Sequence, residues 1–236
     1  MTAREEVLAR IRTSLSGASS PAGHATARPA DPAPIPRAYR TRGDHAPGSP
    51  DLVDLLAERL VDYRATVVSA DPDHDGDGLA AAVAGVLTER GLRRVVAPDG
   101  VTGTWLAGAD ALREPLTVAE LDAADAVVTG CAVAVAETGT IILDAGPDQG
   151  RRALTLVPDV HLVVVRPDQV VQTVPEALAR LDPARPITMI SGPSATSDIE
   201  LSRVEGVHGP RTLVVVLAAG ETSAPPPQQS ARSDCR

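Results

Sequence analysis

Seven short runs of branched aliphatic residues recur between residues 65 and 218, and helix-patterned segments fill several of the gaps between them. The runs are ATVVSA (65–70), RRVVAP (93–98), DAVVTGC (125–131), TGTIILDA (138–145), HLVVVRP (161–167), PITMISG (186–192) and RTLVVVLA (211–218). Each is nearly continuous in Val, Ile or Leu rather than alternating with polar residues, the pattern of a strand covered on both faces. Helical patterns occupy 51–63, 77–91, a stretch near 117–123 and another near 168–182. Strands alternating with helices predict an α/β fold, a largely parallel sheet with helices on both faces. Such a sheet shows all its strand carboxyl ends on one edge, where open α/β sheets place ligands.

Composition narrows the chemistry. The 236 residues are 43% apolar, enough for one sizeable core, yet Phe is absent and the aromatics are Tyr39, Tyr63 and Trp105. The core must therefore be aliphatic. All 22 cations are Arg, which excludes Schiff-base chemistry, a P-loop lysine and a lysine base. Residues 51–150 hold eighteen acids against six arginines, and the whole chain carries a net charge of −9. An acidic body with so few stacking rings is a poor nucleic-acid binder. Cys131 and Cys235 are too few for a four-cysteine cluster or a disulfide framework. No apolar run approaches the ~20 residues of a membrane span. The charged opening MTAREEVLARIRTSL lacks a signal peptide's apolar stretch, so the expected location is cytoplasmic.

Along the chain, residues 1–15 read as an amphipathic helix with Val7, Leu8, Ile11 and Leu15 on one stripe. Residues 16–50, rich in Pro and Ala, read as a disordered linker, 51–219 as the α/β domain and 220–236 as a disordered tail. The turn DPDHDGD (71–77) imitates a calcium loop through Asp71, Asp73, Asp75 and Gly76. Position twelve of that loop is Ala82, which supplies no closing carboxylate, and the preceding segment is a strand rather than a helix. A capping and solubilising role is the reading preferred, with a metal or cationic partner as the alternative. No His and Cys spacing resembles a metal site.

Three loops combine glycine, hydroxyls and charge. In AETGTIILD (136–144), Glu137 stands ready as base or nucleophile, and Thr138-Gly139-Thr140 would let a ligand approach the backbone closely. In SGPSATSDIE (191–200), Ser194 and Thr196 offer hydroxyls to an anion, with Asp198 and Glu200 behind them. In EGVHGPR (205–211), His208 lies between glycines as an acid/base candidate, and Arg211 follows. The plain alternative for each loop is a set of turn and cap residues. If all three converge at the strand carboxyl ends, these side chains share one pocket, and crowded carboxylates there should raise at least one pKa.

Taken together and in this order, AETGTI, GPSATSDIE and GVHGPR resemble the LUD domain, specifically the lactate utilization protein C (LutC/YkgG) family. The resemblance implies a fold akin to the NagB/RpiA/CoA-transferase group. It also implies a role as the clusterless component beside iron–sulfur partner proteins that oxidise L-lactate to pyruvate. On that reading this chain binds no cofactor itself, clusters belong to the partner subunits, and a small carboxylate is the candidate ligand. The alternative is a stand-alone enzyme of the same fold class acting on a small anionic or acyl substrate. The family commonly has a basic residue where this chain has Ala195, which leaves Arg211 or Arg203 to contact an anion.

Overall fold

The computed structural model describes residues 3–16, 38–70, 77–193 and 209–218. It divides into two units, Met1–Tyr39 and Arg40–Arg236. In the first, helix α1 (Ala3–Ser16) leaves Val7, Leu8 and Ile11 exposed and is laced by an Arg10–Glu6 ion pair one turn apart.

The second unit opens with α2 (Pro50–Asp62), where Pro50 takes the first-turn position that needs no N–H donor. Six strands then form one sheet: β1 (Thr66–Ala70), β2 (Arg94–Val96), β3 (Asp110–Leu112), β4 (Ala126–Thr129), β7 (Val160–Val165) and β10 (Thr212–Ala218). Their order is β1-β10-β7-β4-β2-β3, and every pairing is parallel. The central strands β4, β7 and β10 are buried almost throughout, as continuous aliphatic runs require. This bears out the largely parallel sheet.

What covers that sheet differs on its two faces. One face carries α3 (Asp77–Glu89) and a 3₁₀ turn, so that Val83, Val86, Leu87 and Trp105 pack on Leu162, Val164, Val214 and Val216. The opposite face meets α2 and a second sheet that the sequence pattern did not announce. Its strands are β5 (Val133–Val135), β6 (Thr140–Leu143), β8 (Val170–Val171) and β9 (Thr188–Ile190), in the order β8-β5-β6-β9. Here β6 runs antiparallel to both β5 and β9, while β8 joins β5 in parallel. Leu56, Leu60, Ile141, Leu143, Val163 and Val215 fill the space between the two sheets. Beside them α4 (Val118–Asp122) seals Val96 and Val127 with Leu121. The outer face of the second sheet buries Val133, Val135 and Ile142 against Ala177 of α5 (Val174–Leu178).

Two expectations change. The helix read near 168–182 is a 3₁₀ turn, the strand β8 and the short α5. The β-branched pair Val170-Val171 pairs with β5, and α5 starts afresh where the Glu176 carboxylate accepts from the Thr173 N–H and hydroxyl. The second change concerns residues 40–49, read as the end of the linker, which are tied to the second sheet. Gln172 Oε1 accepts from the Asp44 and His45 N–H groups at 2.6 and 2.9 Å, and the Gly48 N–H donates to the Val170 carbonyl. Composition suggested a free linker because Pro, Gly and Ser serve a pinned strap equally well.

Candidate functional site

The hairpin between β5 and β6 gathers the first predicted loop. Val133 and Val135 drive β5 into the core, and the chain then turns through Glu137-Thr138-Gly139 into buried β6. Gly139 has φ +56, and a Cβ there would lie 2.8 Å from the Arg59 Cβ. Only glycine permits this close turn against the last turn of α2. Gly192, after β9, repeats the arrangement with φ +84 against the Tyr63 carbonyl.

These two glycines bring three hydroxyls together. Thr138 Oγ1 and Thr140 Oγ1 are 2.8 Å apart, and Thr140 Oγ1 lies 2.8 Å from Ser191 Oγ. Glu137 is oriented from its other side. Gln172 Nε2 donates to Glu137 Oε1 at 3.0 Å, and Arg40 Nη1 stands 3.2 Å from the same oxygen. The Glu137 side chain remains 37% exposed, so solvent and solutes reach it. The ensemble offers a carboxylate fixed by a guanidinium and an amide, next in sequence to a chain of exchangeable hydroxyl protons. It can orient a small polar ligand or accept a proton from one.

Neither Arg40 nor Gln172 stood out in the sequence. A lone glutamine before a helix and an arginine in a Pro-rich stretch carry no motif, and only the tertiary fold joins them to Glu137.

Arg211 is placed differently. Its guanidinium grips Asp159 with two hydrogen bonds of 2.6 and 2.8 Å, which hold the Asp159 carboxyl below its usual range and raise the arginine further. Both residues precede their strands, β10 and β7, so the pair marks the amino edge of the parallel sheet. Gly192 likewise abuts Tyr63, three residues before β1 begins. The carboxyl-edge argument therefore fails for the described parts of these loops. The second loop follows β9, a strand of the second sheet, and the third loop precedes β10 instead of following it. Arg211, one of the two candidates to replace the basic residue missing at position 195, is committed to Asp159. Ser194, Thr196, Asp198, Glu200, Arg203 and His208 lie outside the described residues, as does the acidic turn 71–76.

Hydrogen bonds hold the carboxyls of Glu120, Asp125, Asp159 and Glu176 below their usual range. Two buried groups shift for want of water. Burial pushes the Cys131 thiol up, helped by Asp148, while its Sγ contacts Gln169 Oε1 at 3.6 Å; this thiol is a core residue. Burial, with Arg152 nearby, drives His161 down to about 3, and its Nε2 lies 2.8 Å from Thr129 Oγ1. His161 is thus a neutral structural histidine. Among the described residues no three His, Cys, Asp or Glu side chains form a group able to hold a metal ion, and no helix is long and apolar enough to cross a membrane.

Comparison with known proteins follows the same map. The LUD domain family matches residues 105–218, from Trp105 through β10. Lactate utilization protein C of Deinococcus radiodurans is 50% identical over 195 residues, covering 79% of this chain and 82% of that protein. Lactate utilization protein C of Bacillus subtilis is 28% identical over 72% of this chain and 70% of its own length. The uncharacterized protein YkgG of Escherichia coli is 34% identical over a shorter stretch, 34% of this chain and 38% of that protein. The crystal structure of a DUF162 family protein from Deinococcus radiodurans superposes with a TM-score of 0.61 at 45% identity, covering 72% of this chain and 98% of that one. With half of the aligned residues identical across four-fifths of such a relative, the chain belongs to the LUD-domain family of lactate utilization protein C.

Proposed function

We propose that this chain is the clusterless component of an L-lactate utilization system, working beside iron–sulfur partner proteins in oxidising L-lactate to pyruvate. The observation that carries the reading is the 50% identity with a protein named lactate utilization protein C. The cysteine inventory supports the division of labour. A cluster held by four thiolates needs more than Cys131 and Cys235, and Cys131 is buried with its thiol form favoured. Electron transfer then belongs to the partners. This chain contributes a protein surface and the Glu137 hairpin, where a small carboxylate with a hydroxyl group matches the Thr138–Thr140–Ser191 chain and the Arg40 guanidinium.

The competing reading is a stand-alone enzyme acting on a small anionic or acyl substrate with Glu137 as base or nucleophile. The hydroxyl chain beside Glu137 favours it. The Arg40 and Gln172 contacts weigh against it, since both occupy Oε1 of the carboxylate that would have to act as base or nucleophile.

Affinity purification of the tagged full chain from cells grown on L-lactate separates the two. Co-purification of iron–sulfur proteins is the expected result, with the isolated chain itself colourless. A lone chain that turns over an acyl substrate, or one that carries stoichiometric iron or a flavin absorption band, overturns the proposal.

A further inference from the structure

The strap that crosses the second sheet before α2 is held without apolar burial. From Arg40 to Pro47 every residue except Gly43 is exposed. Its ties are polar. The Gly43 N–H donates to the Glu176 carboxylate, the Asp44 and His45 N–H groups to Gln172 Oε1, and the Gly48 N–H to the Val170 carbonyl. A segment fastened by exposed hydrogen bonds, with little apolar surface beneath it, opens at a free energy well below that of global unfolding.

Both groups that occupy Glu137 Oε1 depend on this strap. Arg40, 3.2 Å from that oxygen, is part of it. The guanidinium is also bound within the strap, since its Nε donates to the Arg42 carbonyl at 3.1 Å and its Nη2 lies 3.6 Å from Asp44. It therefore moves as the strap moves. Gln172, only 7% exposed, is oriented by the strap. Two N–H donors on its Oε1 turn Nε2 toward Glu137 Oε1, at 3.0 Å.

Gly43 shows independently that the fit is built. A Cβ there would collide with the Gln172 side chain, yet Gly43 is not among the glycines with positive φ. Backbone geometry does not ask for glycine at this position; close approach to the amide does.

We propose that residues 40–48 are a latch on the candidate site. Closed, as in this structure, the latch occupies Glu137 Oε1 through Arg40 and Gln172. Open, it leaves both oxygens of Glu137 to accept from the hydroxyl of a small hydroxy-carboxylate. Arg40, released from Glu137, then takes the ligand's carboxylate as the strap returns. The latch deepens the reading of Glu137 as the ligand-binding carboxylate and rests on it, but it does not rest on lactate or on iron–sulfur partners. Growth on L-lactate decides that reading separately.

Amide hydrogen exchange and carboxyl footprinting of the full chain test the latch together. In the parent protein the Asp44 and His45 amides should exchange faster than those of β10, which report global unfolding. Gly43→Ala should open the strap about tenfold more often, the equivalent of one lost hydrogen bond. Exchange at residues 44 and 45 should then rise together with carbodiimide-driven labelling of Glu137 by glycine ethyl ester. Labelling of the exposed Asp122 on α4 is the internal reference and should stay constant. Gln172→Leu, which removes the strap's acceptor and the Glu137 donor at once, should produce the same paired change. Asp44 and His45 amides that exchange only as slowly as those of β10 would overturn the proposal. So would Glu137 labelling that stays at the parental level while those two amides loosen.

Discussion

The two sheets of this protein are built on different terms. At the centre of the parallel sheet lie its long aliphatic strands: β7 and β10 pair over six positions, from Thr212 against Val160 to Leu217 against Val165. The second sheet is made of strands of two to four residues, and its hairpin and strand ends hold Glu137, Thr138, Thr140 and Ser191. Long buried strands give a rigid platform with little chemical variety. Short strands bring turns close together, and turns carry hydroxyls and charge. The contrast assigns stability to the first sheet and its contact layer, and the candidate site to the second.

Core truncation should break the comparison most visibly. Ile141 faces the layer between the sheets, whereas its neighbour Ile142 faces the smaller cluster beneath α5. Ile141→Ala should cost about 4 kcal/mol and Ile142→Ala about 2 kcal/mol, because the outer cluster relaxes more easily around a cavity. Urea unfolding measures both, and equal losses would erase the distinction between inner and outer faces.

Acid should act through the parallel sheet next. His161 is held neutral in the fold, with its pKa lowered from 6.5 to about 3. Between those values the unfolded chain binds a proton that the folded chain refuses. Its stabilising contribution is therefore complete above pH 6.5 and is lost as pH falls toward 3, by up to about 1.4 kcal/mol per pH unit. A His161→Gln variant, which keeps a polar group facing Thr129, should show a shallower fall in stability over that window than the parent. Parallel curves would mean that His161 does not titrate as its burial demands.

Smaller effects sharpen the second sheet. Thr140→Val removes the central hydroxyl of the three and leaves Thr138 and Ser191 without it, a loss of about 1–2 kcal/mol in thermal or urea unfolding. Smallest is Arg211→Met. The Arg211–Asp159 pair is well exposed, with side chains 68% and 49% accessible, so its removal should cost less than about 1 kcal/mol despite the bidentate geometry. A larger loss would show that the amino edge matters more to stability than its exposure implies.

The same contrast explains what the sequence made legible. HLVVVRP and RTLVVVLA announced β7 and β10 because fully buried parallel strands need unbroken aliphatic runs. The second sheet escaped notice in part because β8 is only Val170-Val171, inside a stretch whose spacing also fits a helix. The strand β5 was hidden between Cys131, the end of one run, and Thr138, the start of the next. At the site, Glu137, Thr138, Gly139 and Thr140 were readable from their local turn chemistry. Their partners Arg40 and Gln172 were not, since contacts across 97 and 35 residues leave no local spacing in the chain. The edge was misjudged for a topological reason: a loop leaving the second sheet and a loop entering β10 both differ from a βα turn.

The functional account stands or falls on growth. Deleting the gene for this chain and supplying L-lactate as sole carbon source should abolish growth, while growth on pyruvate stays normal and the intact gene restores the loss. Growth of the deletion strain on L-lactate at the parental rate would contradict the account.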